Sequence, residues 1–168
     1  KMHGGVLKSD LTTENVTAVQ KGFVNLEKQI ANMKAFGLPV LVSINKFATD
    51  TAAEIDALLA LCECHGVDVT LNECWEKGGA GGIDMAQQVM RILENTTTKP
   101  TFLYDVKDTI SNKLTAIVKE IYGGTGVVFT SAAKKQIAQL EEWGLADLPV
   151  CVAKTQYSLS DNPELLGA

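Results

Sequence analysis

The chain has 168 residues, of which 46% are hydrophobic, 21% charged and 6% aromatic, a composition that excludes disordered and fibrous proteins and leaves room for a sizeable core. A net charge of −5 with a single arginine, Arg91, argues against a polyanion-binding face, which needs clustered Arg and Lys, so no nucleic-acid partner is expected. The longest apolar run, Leu38 to Ile44, is broken by Pro39 and Ser43 and falls far short of the roughly 20 residues of a bilayer helix, so no membrane partner is expected.

The chain opens on Lys1 without an initiator Met and leads into no apolar stretch, so we expect a trimmed portion of a longer protein and read no signal peptide. From Glu14 to Phe36 the apolar residues Val16, Val19, Phe23, Leu26, Ile30 and Met33 recur at spacings of three and four, which predicts a helix with one buried stripe, capped by Thr12 or Thr13 and ended by Gly37. Leu38 to Ile44 is a near-continuous apolar run, the pattern of a parallel strand covered on both faces. Thr51 to Glu54 has the spacing of a capping box and opens a helix through Ile55, Leu58, Leu59 and Cys62 that Gly66 stops. Val67 to Leu71 reads as a second strand and Ile83 to Glu94 as a helix.

Further along, Phe102 to Tyr104 is expected to be a strand, Thr109 to Tyr122 a helix ended by Gly123-Gly124, Ser131 to Trp143 a last helix, and Pro149 to Ala153 a buried strand. This alternation predicts an α/β fold, a layered and mostly parallel sheet with helices on both faces. The domain expectation is an α/β portion over 1–153 and a polar strand-end loop and tail over 154–168. The cysteines Cys62, Cys64, Cys74 and Cys151 are read as reduced, cytoplasmic thiols.

Ligands of parallel sheets gather at the carboxyl ends of the strands, which selects three loops. Asn45-Lys46-Phe47-Ala48-Thr49-Asp50 is close to the Asn-Lys-x-Asp base-reading signature, but Ala48 stands where the carboxylate belongs and Asp50 comes two residues late. A helix cap at Asp50 and Thr51 accounts for it equally well. The second loop carries Gly78, Gly79, Gly81 and Gly82 beside Lys77. Such glycines let amides approach an anion, yet the spacing matches neither phosphate-binding pattern, and tight packing explains them as readily. Phe47 and Trp75 are large aromatics in polar strand-end loops that adjacent parallel strands would bring together. They form either a stacking slot for a flat heterocycle or a cover for the sheet edge. The third loop, Lys154-Thr155-Gln156-Tyr157-Ser158, is dense in polar groups and reads as a binding loop or a capped turn.

Cys62, Cys64 and His65 suggest a metal cluster, but residues two apart on a helix point to nearly opposite sides, so no metal site is expected. His3 and His65 are the only histidines, no nucleophilic triad follows from their spacing, and catalytic residues stay unassigned.

Five ordered stretches, Lys1 to Gly5, Ile44 to Thr51, Trp75 to Gly82, Glu120 to Gly123 and Ala153 to Asp161, resemble consecutive signatures of the formate–tetrahydrofolate ligase (formyltetrahydrofolate synthetase) family. The likeness runs from Lys1 to Gly167. Gln156 and Tyr157 bring it closer to the monofunctional bacterial type than to the eukaryotic multifunctional one. The resemblance implies an enzyme that makes 10-formyltetrahydrofolate from ATP, formate and tetrahydrofolate through a formyl phosphate, as part of one-carbon metabolism. It implies a P-loop-NTPase-like portion without the P-loop itself, a C-terminal fragment expected to be inactive alone. By resemblance the pterin stacks between Phe47 and Trp75, with Leu71 and Glu73 beside it. Asn45, Lys154, Thr155, Gln156 and Tyr157 are expected as nucleotide or phosphate contacts. ATP with Mg is implied for the parent enzyme, with room for a monovalent cation, in a cytoplasmic homotetramer. Two other readings stay open: a nucleotide-binding module using Asn45 and the glycine loop, and a structural or oligomerisation domain.

Overall fold

The computed structural model describes residues 1–153, 158–160, 162, 164 and 165. Contacts divide the chain into two compact units, Lys1–Lys99 and the residues from Pro100 on.

The first unit is a β–α–β arrangement with added helices. Helix α1 (Val16–Ala35) is followed by β1 (Leu41–Asn45), α2 (Ala52–Cys64), β2 (Asp68–Asn72), a single turn α3 (Cys74–Lys77), a 3-10 stretch Gly78–Gly82, and α4 (Ile83–Asn95). The strands pair in parallel, Leu41 opposite Asp68 and Asn45 opposite Asn72. The α1 stripe buries Phe23 and Ile30 against Val42 of β1, Cys62 of α2 and Val67, with Leu26, Leu58, Leu61 and Val69 closing around them. Asp68, the first residue of β2, carries an ion pair to Arg91 of α4 at 2.9 Å.

Helix starts follow local capping chemistry. Asn15 caps α1, its Oδ1 accepting the Ala18 N–H at 2.8 Å, which corrects the expectation of Thr12 or Thr13. Asn caps as well as Thr, and the chain turns into the helix only after Glu14. Thr51 caps α2 as expected. Glu54 does more than close a capping box. Buried at 5% exposure, its carboxylate accepts the Asn15 N–H at 2.6 Å and the Lys1 ammonium at 3.0 Å, which stitches the start of α2 to the start of α1.

The second unit holds α5 (Ile110–Glu120) and α6 (Ser131–Glu142), capped by Thr109 and Thr130. Lys113 is fully buried and donates to the carbonyls of Ala146 and Leu148, with its ammonium 6.0 Å from the Tyr104 ring centre. The strands expected at Phe102 to Tyr104 and Pro149 to Ala153 do not form; among the described residues the only sheet is the β1–β2 pair. The two segments are joined instead by a side chain, the Val150 N–H donating to the Tyr104 hydroxyl at 2.9 Å. A β-branched run records a preference for a sheet, and pairing needs a neighbouring strand that these segments lack here. Among the described residues no helix is long and apolar enough to cross a membrane.

Candidate functional site

Because Asn45 and Asn72 lie opposite each other, the chain leaves both strands at the same edge of the sheet. The first loop begins with one more bond to the second strand, from the Lys46 N–H to the Asn72 carbonyl at 3.0 Å. It then closes on itself. The Phe47 N–H donates to the Asp50 carboxylate at 2.8 Å, and the Asp50 N–H returns to the Phe47 carbonyl at 3.0 Å. Asp50, the one carboxylate of this loop, thus serves as the staple of its own turn.

The second loop is built the same way. Asn72 Oδ1 accepts the Cys74 N–H at 2.9 Å and starts the α3 turn, which carries Trp75. The glycine stretch then folds back, and the Glu73 N–H donates to the Gly81 carbonyl at 3.1 Å. A Cβ on Gly81 would lie 2.4 Å from the Glu73 carbonyl carbon and 2.5 Å from its oxygen. Gly81 is therefore required by close packing on Glu73, and its own carbonyl oxygen is committed to that contact.

Phe47 is 48% exposed and Trp75 72% exposed. Each ring thus stands on its loop largely in water, although aromatic rings are among the most favourable groups to bury. No ring contact joins them among the described residues. Leu71 is half-buried beneath this edge, opposite Ile44 in the ladder, and Asn45 ends β1 with an exposed side chain.

Glu73 holds the two loops together. Its carboxylate accepts Lys46 Nζ at 2.8 Å from the first loop and Lys77 Nζ at 2.6 Å from one turn on. The hydrogen bond from Lys46 and then that from Lys77 pull its carboxyl down to about 2, and Glu73 in turn raises the Lys46 ammonium. The sequence reading missed both lysines. The Glu73–Lys77 spacing of four was a local signal for a helical pair, whereas Lys46 joins only through the parallel pairing of the strands.

Of the residues expected at the site, Asn45, Phe47, Leu71, Glu73 and Trp75 come to one edge. Lys154, Thr155, Gln156 and Tyr157 lie outside the described residues. Among the described residues no three His, Cys, Asp or Glu side chains converge as a metal requires, so no ligand is assigned for magnesium or a monovalent cation.

A parallel β–α–β unit that gathers polar and aromatic loops at the carboxyl edge of its strands has the layout of an α/β enzyme. Residues 1–168 match the family model of formate–tetrahydrofolate ligase, and the chain belongs to that family. Its members are ligases that join formate to tetrahydrofolate with ATP as the other substrate.

Proposed function

We propose that this chain supplies the tetrahydrofolate-stacking edge of the ligase, with Phe47 and Trp75 on either side of the pterin and Leu71 and Glu73 beside it. The observation that carries the reading is the placement of two exposed aromatics on neighbouring loops of one sheet edge. A flat heterocycle between them recovers the burial that each ring forgoes in the free chain, roughly 1–3 kcal/mol per stacked face. The use of Asp50 in its own turn leads us to prefer this over a nucleotide-base reader.

In the reaction we propose, formate oxygen attacks the γ-phosphorus of ATP and ADP departs. N10 of tetrahydrofolate then attacks the formyl carbon, phosphate leaves with the C–O bond electrons, and N10 gives up its proton. Holding the pterin fixed contributes by orientation, turning an encounter of two molecules into a positioned attack. The phosphate-binding machinery is taken to come from outside these residues, with Asn45 and the Lys154–Tyr157 loop as secondary contacts, and the chain alone is expected to be inactive. In the same reading the β1–β2 pair continues into a wider layered, parallel sheet of a cytoplasmic homotetramer that uses ATP with magnesium.

The test is Trp75→Ala in the ligase. The tetrahydrofolate KM is expected to rise roughly 5- to 150-fold while the ATP KM stays unchanged, and equal effects on both would remove the stacking role.

A further inference from the structure

We propose that Lys46 is a positioning residue that fixes the spacing of the two aromatic loops through Glu73, with Lys77 as the second arm of the clamp. The inference rests on the tetrahydrofolate reading above and adds how the slot is kept open at one width.

Lys46 immediately precedes Phe47, and Glu73 lies two residues before Trp75. The Lys46–Glu73 bond at 2.8 Å therefore spans the two loops next to both rings. Each loop is already closed by its own bonds, the first by Asp50 and the second by Asn72 and Gly81, so neither turn needs the ion pair in order to form. What the pair adds, past the last backbone bond from the Lys46 N–H to the Asn72 carbonyl, is a side-chain tie between the loops at the level of the rings. Its two arms use different oxygens of the same carboxylate, Oε1 for Lys46 and Oε2 for Lys77, which prevents the carboxylate from rotating and passes the position of Lys46 on to the α3 turn.

The side chains of Lys46 and Glu73 retain 31% and 19% of their exposure, and ion pairs this accessible add little to folding stability. A contact of small value to the fold, placed beside two unpacked aromatics, is suited to setting geometry. Asp50 and Glu76 are the other charged groups that face Lys46. With its carboxyl held at about 2 by Lys46 and Lys77, Glu73 remains ionised throughout the range in which a ligase is assayed.

The experiment compares Lys46→Met, Lys46→Arg, Glu73→Gln and the Lys46→Met/Glu73→Gln double variant in the intact ligase, with Trp75→Ala alongside. Lys46→Met is expected to raise the tetrahydrofolate KM roughly two- to fivefold, with kcat, the ATP KM and the urea midpoint unchanged and the same ratio at pH 6 and pH 8. Lys46→Arg restores the KM. The double variant is no worse than Glu73→Gln alone, because Glu73→Gln already removes the ion pair that Lys46→Met removes, together with the one to Lys77. An unchanged tetrahydrofolate KM in Lys46→Met while Trp75→Ala raises it overturns the clamp and leaves the stacking reading intact. Equal rises in both KM values also overturn the clamp. If Trp75→Ala itself has no effect, the tetrahydrofolate reading fails and the clamp fails with it.

Discussion

Replacing Gly81 by alanine tests the construction of the site at the point where backbone meets backbone. The new Cβ would sit 2.4 Å and 2.5 Å from the Glu73 carbonyl carbon and oxygen and 2.8 Å from the Cys74 nitrogen. All three atoms are main chain, so no rotamer change relieves the overlap and the glycine stretch must move away from Glu73. That movement strains the Glu73 N–H bond to Gly81 and carries Glu73 and Trp75 with it. Forced overpacking of this kind costs about 1–3 kcal/mol. Gly79 is the internal control: a Cβ there meets nothing within 4 Å and its φ is not positive, so Gly79→Ala should be neutral or gain about 0.4–1 kcal/mol by restricting the unfolded chain. Urea unfolding followed by far-UV circular dichroism measures both changes. Gly81→Ala should also raise the tetrahydrofolate KM of the ligase, and Gly79→Ala should not. If the two substitutions have equal effects on stability and KM, the close packing of the glycine stretch on Glu73 is refuted.

Two further predictions concern buried charges. Lys113→Met removes the buried ammonium from the Ala146 and Leu148 carbonyls and deprives both oxygens of that donor, which should cost roughly 1–3 kcal/mol in urea unfolding; a variant as stable as the parent would show that the lysine holds nothing. For Glu54, burial pushes the carboxyl up, but the Asn15 N–H, the Lys1 ammonium and the Thr51 N–H outweigh it and hold it below the ordinary 4.5. A depressed folded value means the stabilisation is complete above pH 4.5 and fades as pH falls through that folded value. Glu54→Gln should therefore lose roughly 1–3 kcal/mol at pH 7 and progressively less as the solution is acidified below pH 4.5, whereas a loss independent of pH would contradict the charge argument.

Local features of the sequence were enough to define most elements. The spacing of Phe23, Leu26 and Ile30 marks the inner face of α1, and Thr51, Thr109 and Thr130 cap their helices by bonds to residues three positions on. The runs around Val42 and Val69 form strands because each has the other as a partner. Phe102 to Tyr104 and Pro149 to Ala153 have similar composition and form none, since a strand depends on a neighbour that its own residues do not encode. The site divides along the same line. Phe47 and Trp75 were conspicuous as aromatics out of place, and the parallel pairing put their loops at one edge. The roles of Lys46 and Gly81 were hidden because each is defined by a contact across the fold, one with the carboxylate of Glu73 and the other with its backbone.

The most direct test of the stacking account uses Trp75 as its own reporter. These residues hold two tryptophans, and Trp143 is 62% exposed at the end of α6, so Trp143→Phe leaves Trp75 as their one emitter at little cost, and Trp75→Phe in the same background subtracts emission from the rest of the ligase. In that background, within the intact ligase, tetrahydrofolate should quench Trp75 emission saturably after correction for its absorbance. Phe47→Ala should weaken that binding by roughly 5- to 150-fold, and ATP alone should leave the emission unchanged. Emission indifferent to tetrahydrofolate, or quenched equally by ATP, would contradict the account.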